Sequence, residues 1–169
     1  MTIRQRIAGA ALKPLSEMPV QTYFCMGLQL SDIIEWVLAQ TGPGHVDIST
    51  FSVGDEFLRR LYMLRRKGAV TSCRIVCDSR AMRKTRLLSA FLRSTVDDVR
   101  VAQNHSKVVI VYGKEMTAAV ITSQNLTRGN RTEAGVVTAD PVTIEALRSQ
   151  FDNLLKRSAD VLGTVSATD

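Results

Sequence analysis

The 169-residue sequence has few of the residues that mark several common protein classes. Its three cysteines, Cys25, Cys73 and Cys77, form no C-x-x-C pair, so we expect buried thiols in a reducing, cytoplasmic compartment instead of a disulfide framework. Aromatic residues make up only 5%, which leaves few rings to stack on single-stranded bases. No apolar run approaches the ~18 residues of a membrane span, so we expect neither a span nor a secreted product.

Positive charge is more abundant and is clustered. The chain has 22 basic and 16 acidic residues, a net charge of +6. Ten of the basic residues lie between Arg59 and Arg86, and Asp78 is the only acid in that segment. Such a cluster favours contact with the phosphates of a polyanion, and the alternative is a solvated helix face followed by a polar loop.

The length fits one domain. We expect an arm or lead-in helix at residues 1–19, a single domain at 20–163 and a flexible tail at 164–169. In the first half, apolar periodicity predicts strands at residues 20–26, 46–53, 74–77 and 99–102. Helices are expected after Ser31 as N-cap, from Gly54-Asp55 to Gly68, and over residues 81–92.

The second half has a different sequence pattern, with three β-branched or apolar runs at residues 107–112, 116–122 and 133–138. The first two are separated by Gly113-Lys114 and predict a hairpin, and Asp140-Pro141 begins a closing helix. Alternating strands and helices followed by hairpin-linked strands predict an α/β fold with a mixed β-sheet sandwiched between helices.

Only two histidines are present, and they differ in their surroundings. His45 has no obvious ligand set or triad around it. His105 precedes Lys107, and at the start of a strand the two side chains project together, so that an ammonium stands beside an imidazole and could bind phosphate. Ser123 and Asn125 end the next strand and can hydrogen-bond a phosphoryl group. Glu133 begins the following strand, where it can accept a proton from an imidazole nitrogen.

The segment NHSKVVIVYGKEMTAAVITSQNLTRGNRTEAGVV resembles the catalytic motif of the phospholipase D superfamily, HxKxxxxD followed by GSxN and NxE elements. His105, Lys107, Ser123, Asn125 and Glu133 match the motif's residues. Tyr112 stands at the motif's aspartate, and Thr122 stands at the glycine of GSxN. The resemblance implies a phospholipase D-like fold with one half-domain per chain.

The family reaction uses two motifs that face each other, and this chain has one. The resemblance therefore implies a homodimer in which His105 and Lys107 of both subunits form one site, with a phosphohistidine intermediate and no metal or other cofactor. The expected activity is that of an endonuclease on DNA or RNA. The expected substrate-binding residues are basic: Arg80, Arg83, Lys84, Arg128 and Arg131.

Two other functions stay open at this point. The first is a catalytically impaired module that keeps the fold and the basic surface and binds nucleic acid or a partner. The second is an enzyme that acts on phospholipid.

Overall fold

The computed structural model describes the backbone of residues 3–84 and 89–160 and the side chains of residues 7–81 and 91–160. Within these ranges eight strands form one sheet and six helices pack around it. The strands are β1 Val20–Met26, β2 Gly44–Thr50, β3 Val70–Asp78, β4 Asp98–Ala102, β5 Val108–Gly113, β6 Thr117–Thr122, β7 Thr132–Thr138 and β8 Ala159–Asp160. The helices are α1 Ile3–Ala11, α2 Leu30–Thr41, α3 Asp55–Arg66, α4 Ser79–Lys84, α5 Ser89–Thr95 and α6 Pro141–Lys156.

The sheet is mixed, with the strand order β1-β7-β6-β5-β2-β3-β4-β8. Strands β2, β3 and β4 run parallel, because helical connections return the chain to the same end of the sheet. The remaining neighbours are antiparallel, and β5 and β6 are joined by a tight turn. This arrangement places the motif segment on three neighbouring strands, β5, β6 and β7, with β6 between the other two.

Helices cover both faces of the sheet. On one face, α1, α2, α3 and α5 enclose the main core, in which Ile33, Leu58 and Leu92 pack against sheet residues such as Ile48. On the other face α6 packs through Ile144 and Phe151 against Val76, Ile110 and Ala119. The predicted α/β class with a mixed sheet between helices is confirmed.

Several predicted boundaries need correction. Ser31 is not the N-cap of α2. The helix begins at Leu30 with Gln29 as its cap, and the Ser31 hydroxyl accepts a hydrogen bond from Arg60. The strand predicted at residues 46–53 is β2, which begins at Gly44 and ends at Thr50. The strand predicted at 74–77 extends over Val70–Asp78, because Val70, Ser72 and Cys73 also pair with β2 and Asp78 pairs with Ala102 of β4.

Two predictions concern segments that are partly outside the described residues. The helix expected over residues 81–92 corresponds to α4 and α5, and residues 85–88 between them are not described. Helix α1 lies in the segment expected to be an arm or lead-in helix, and its Ala8 is buried in the main core. The domain limits stay a prediction, and the tail expected at 164–169 lies outside the described residues.

Candidate active site

His105 and Lys107 lie in the segment that connects β4 to β5. Strand β5 begins only at Val108, so the expected strand start at residue 107 is wrong. The two side chains still meet, because the Lys107 Nζ lies 3.2 Å from the His105 Nδ1 and donates to the His105 carbonyl oxygen at 2.7 Å. His105 is exposed and its ring packs at 5.4 Å from that of Phe51, whereas Lys107 is buried.

Burial lowers the pKa of Lys107, and the nearby Glu133 carboxylate partly opposes this effect. An ammonium that has lost part of its hydration gains more from a bound anion than an exposed one does. The Thr122 amide donates to the Lys107 carbonyl oxygen at 3.0 Å, so the lysine backbone is joined to the end of β6. Lys107 therefore links the His105 segment to the β6 and β7 side of the site.

Ser123 and Glu133 are in direct contact across β6 and β7. The Ser123 hydroxyl donates to the Glu133 carboxylate, and the same hydroxyl oxygen accepts from the Ala134 amide at 3.1 Å. Among the described residues, no hydrogen bond joins Glu133 to an imidazole. The imidazole partner expected for Glu133 thus stays a prediction.

A polar cavity of about 200 Å³ adjoins this pair. Asn125, Arg128, Arg131, Ser123 and Glu133 are among the residues that line it. The Asn125 Oδ1 is buried and has no hydrogen-bond partner, so this oxygen can still accept a hydrogen bond from a donor on a ligand. Four of the predicted site residues, Ser123, Asn125, Arg128 and Arg131, are therefore brought together with Glu133.

The environment of Tyr112 accounts for the absence of aspartate at this motif position. Its ring stacks on His45 at 5.5 Å, on the face of the sheet that α6 covers. A carboxylate is already present there, because Asp47 on β2 is fully buried and accepts from Arg74 Nε at 2.7 Å and from Arg74 Nη2 at 2.6 Å. Burial and the Asp47 charge together raise the pKa of Tyr112, which keeps the phenol neutral.

Thr122, at the glycine position of GSxN, is accommodated by hydrogen bonds. Its Oγ1 lies 2.5 Å from the Tyr23 hydroxyl and accepts from the Gln124 amide at 3.1 Å. Burial raises the pKa of Tyr23 to about 12, so its hydroxyl stays protonated at neutral pH. Gly135 lies opposite, where a Cβ atom would come within 2.5 Å of the Tyr23 hydroxyl oxygen. The threonine thus fixes the turn that leads to Ser123 and Asn125.

The basic cluster is only partly available to a ligand. Three of its members form ion pairs with acids that are distant in the sequence. Arg60 pairs with Asp32 and Glu35, Arg65 pairs with Asp97, and Arg74 pairs with Asp47. Arg66, Lys67 and Arg80 are exposed. The side chains of Arg83 and Lys84 lie outside the described residues, so their expected role is untested.

Three residues near the site were not singled out by the sequence pattern. Asn104 is buried beside His105 and makes a set of hydrogen bonds considered below. Asp47 and Arg74 form the buried ion pair, and their side chains project toward the same face from paired positions of β2 and β3. The available signal is an aspartate between the β-branched apolar residues Val46 and Ile48 of a predicted strand, since buried carboxylates are rare unless they are paired.

Nowhere in the described part of the chain do three His, Cys, Asp or Glu side chains gather closely enough to hold a metal ion. None of the helices within residues 3–84 and 89–160 is long and apolar enough to cross a bilayer.

The fold and the site define the class of the protein, which is an α/β protein of phospholipase D-like fold. A family model described as "Cardiolipin synthase, PLD-like domain" matches residues 38–155. The chain therefore belongs to the phospholipase D-like domain family. No curated protein sequence matches it.

Three solved structures are similar to this chain. NucT from Helicobacter pylori is 15% identical with a TM-score of 0.64, and the match covers 83% of this chain and 99% of that one. Nuc from Salmonella typhimurium, a phospholipase D family member, is 20% identical with a TM-score of 0.61 and coverage of 83% and 96%. The archaeal chromatin protein TrmBL2 is 11% identical with a TM-score of 0.55 and coverage of 93% and 59%. At these identities the similarity shows the fold.

Proposed function

We propose that the protein is a metal-independent phosphodiesterase, an endonuclease on DNA or RNA, that acts as a homodimer through a phosphohistidine intermediate. The observation that carries the proposal is the contact between His105 and the partly desolvated Lys107 ammonium, 3.2 Å from Nζ to Nδ1. A nucleophile beside a fixed cation is the arrangement that attack on an anionic phosphodiester requires.

In the first step a nitrogen of His105 attacks phosphorus, and the bond from phosphorus to the leaving oxygen breaks. The partner's His105 gives its proton to that oxygen. In the second step the same partner imidazole takes a proton from water, the hydroxide oxygen bonds to phosphorus, and the bond from phosphorus to His105 breaks. The Lys107 ammonium neutralises the charge of the non-bridging oxygens throughout, and the side-chain NH2 group of Asn125 donates a hydrogen bond to one of them. Ser123 and Glu133 form the adjoining wall of the site.

Nucleic acid is favoured as substrate by the charge around the polar cavity. Arg128 and Arg131 line it, and Arg128 is 82% exposed with only a distant pairing to Glu56 at 3.9 Å. Arg80 is exposed at the start of α4. The similarity to TrmBL2, whose structure shows a mode of DNA binding, supports the same substrate class.

The test is cleavage of single- and double-stranded DNA and of RNA in EDTA, with wild type compared with His105→Ala. The matched control is Gln103→Ala, an exposed neighbour in the same segment. We expect EDTA-resistant cleavage in wild type and in the control, and a loss of at least roughly 1,000-fold in His105→Ala, because the nucleophile is removed. Hydrolysis that survives in His105→Ala would disprove the proposed mechanism.

A second candidate is a non-catalytic module that binds nucleic acid, which the replacement of the motif aspartate by Tyr112 favours. It predicts binding that falls steeply with salt, without turnover of any phosphodiester. Because the family description names cardiolipin synthase, phospholipid vesicles belong in the same assay. Turnover of lipid without any turnover of nucleic acid would contradict both candidates and would indicate an enzyme that acts on phospholipid.

A further inference from the structure

Asn104, the residue before His105, is buried in the segment between β4 and β5, and its side-chain amide uses its donors and its acceptor within the protein. The Nδ2 donates to Ser49 Oγ at 2.9 Å, to the Val76 carbonyl oxygen at 3.0 Å and to the Thr50 carbonyl oxygen at 3.3 Å. These acceptors lie at the carboxyl ends of the parallel strands β2 and β3. The segment is therefore attached to buried residues at the ends of these two strands.

The same amide also holds the residue that follows His105. Its Oδ1 accepts from the Ser106 backbone amide at 3.0 Å and from the Ser106 hydroxyl at 2.7 Å. The Ser106 hydroxyl in turn lies 2.5 Å from that of Ser49, and the Asn104 backbone amide donates to Asp78 at 3.1 Å. The Asn104 side chain thus anchors the residue before His105 to the sheet and holds the residue after it, Ser106.

The exposed imidazole has much weaker support. Its contacts in the described structure are the Phe51 ring and Lys107, which itself bonds to the His105 carbonyl oxygen. With so few contacts of its own, the ring takes its direction from the backbone at residues 104–106.

We propose that Asn104 is a positioning residue of the active site. It fixes the backbone conformation at His105, so that the imidazole points at the phosphorus whose oxygens the Lys107 ammonium binds. This inference rests on the proposed function. It assigns to Asn104 a role in the orientation of the nucleophile, through hydrogen bonds that serine cannot reproduce, because serine is shorter and has one donor. Misplacement of a reacting group by about 1 Å can cost roughly 100-fold in rate.

The test compares wild type with Asn104→Ser and Ser106→Ala. For Asn104→Ser we expect kcat to fall roughly 100-fold, with KM changed less than about threefold, because substrate binding uses other residues. Ser106→Ala keeps the fold, removes one of the two bonds to Oδ1, and is expected to lower kcat about tenfold. Gln103→Ala is the matched control and should behave as wild type.

A second measurement is independent of activity. The chain has only two histidines, so nitrogen-detected spectra of the imidazoles contain signals from His105 and His45 alone. We expect the His105 signals to shift or broaden in both variants, while those of His45, held by Ser72 and Asp47, stay unchanged as an internal reference.

The outcomes separate the two proposals. If wild type cleaves no phosphodiester, the proposed function fails, and the His105 spectra still decide whether Asn104 positions the ring. If wild type is active and the variants retain both kcat and the wild-type His105 signals, the role of Asn104 is disproved. A change that affects His45 and His105 alike would mean a general loss of structure and would also overturn the assignment.

Discussion

Tyr112 fills the place where the family motif has aspartate, and the residues around it show what an aspartate would meet there. The Asp47 carboxylate is fully buried on the neighbouring strand and is already paired with Arg74. A second carboxylate at position 112 would be partly buried near a like charge, which opposes folding. The tyrosine therefore fits a site in which another residue supplies the negative charge.

We predict that Tyr112→Asp lowers the free energy of unfolding by roughly 2 kcal/mol more than Tyr112→Asn, because the two variants lose the same ring and differ in charge. Tyr112→Phe should cost roughly 1 kcal/mol or less, since the tyrosine hydroxyl has no hydrogen-bond partner. Urea unfolding at pH 7 measures all three. Equal stability of the Asp and Asn variants, or a gain of activity in Tyr112→Asp, would contradict this account.

At the scale of elements, Arg74 joins three parts of the fold. It pairs with Asp47 on β2, reaches Asp152 on α6 at 3.4 Å, and lies 5.3 Å from the Phe151 ring centre. Burial alone would raise the pKa of Asp47, but the hydrogen bonds from His45 and Arg74 outweigh it, and the pKa is lowered from 3.8. The cluster thus holds α6 against the sheet through a carboxylate that must stay ionised.

The direction of the pH effect follows from that shift. A carboxyl group whose pKa is lower in the folded state stabilises the protein above its unfolded pKa, and this contribution is lost as the pH falls through the folded value. We predict that the unfolding free energy of wild type declines below about pH 4 more steeply than that of Asp47→Asn, measured by urea unfolding from pH 7 to 3. Parallel declines in the two proteins would show that Asp47 makes no such contribution.

The sequence predicted best the elements whose signal is local. Strand β1 has the predicted bounds, and α6 begins at Pro141 with Asp140 as its cap, as the Asp-Pro pair indicates. The runs predicted at residues 116–122 and 133–138 are β6 and β7, each of which differs from the prediction by one residue at its start. These features depend on residues close together in the chain.

Features that depend on distant partners were missed. The local sequence predicts Ser31 as a helix cap, but in the structure its hydroxyl accepts a hydrogen bond from Arg60 of α3. The sequence around the basic cluster contains almost no acids, because the acids that pair with it, such as Asp97 with Arg65, lie on other elements. The local sequence predicts that a strand begins at the His105 segment. In the structure, hydrogen bonds from Asn104 to the ends of β2 and β3 hold this segment outside the sheet.

At the scale of the whole molecule, an apolar surface lies open on the face of the sheet that α6 covers only in part. It is formed by side chains of β1, β7 and β6: Val20, Phe24, Met26, Ala134, Val136 and Ile121. Phe24 is 79% exposed and Met26 is 64% exposed. Ile121 pairs with Val108, which lines the groove that contains His105, so this apolar surface runs to the edge of the proposed site. Large exposed apolar surfaces commonly mark interfaces.

The proposed reaction needs a second subunit beside His105. We expect this second subunit to bind at the apolar surface. We predict that Phe24→Glu changes the proposed dimer to a monomer and abolishes the proposed cleavage, because a carboxylate would be buried at the contact. Sedimentation velocity gives the mass, and the EDTA assay gives the activity. Met63→Glu is the control, since Met63 is 50% exposed on α3 across the sheet and should leave both unchanged. A Phe24→Glu dimer with full activity would place the contact elsewhere, and an active monomer would remove the need for a second His105.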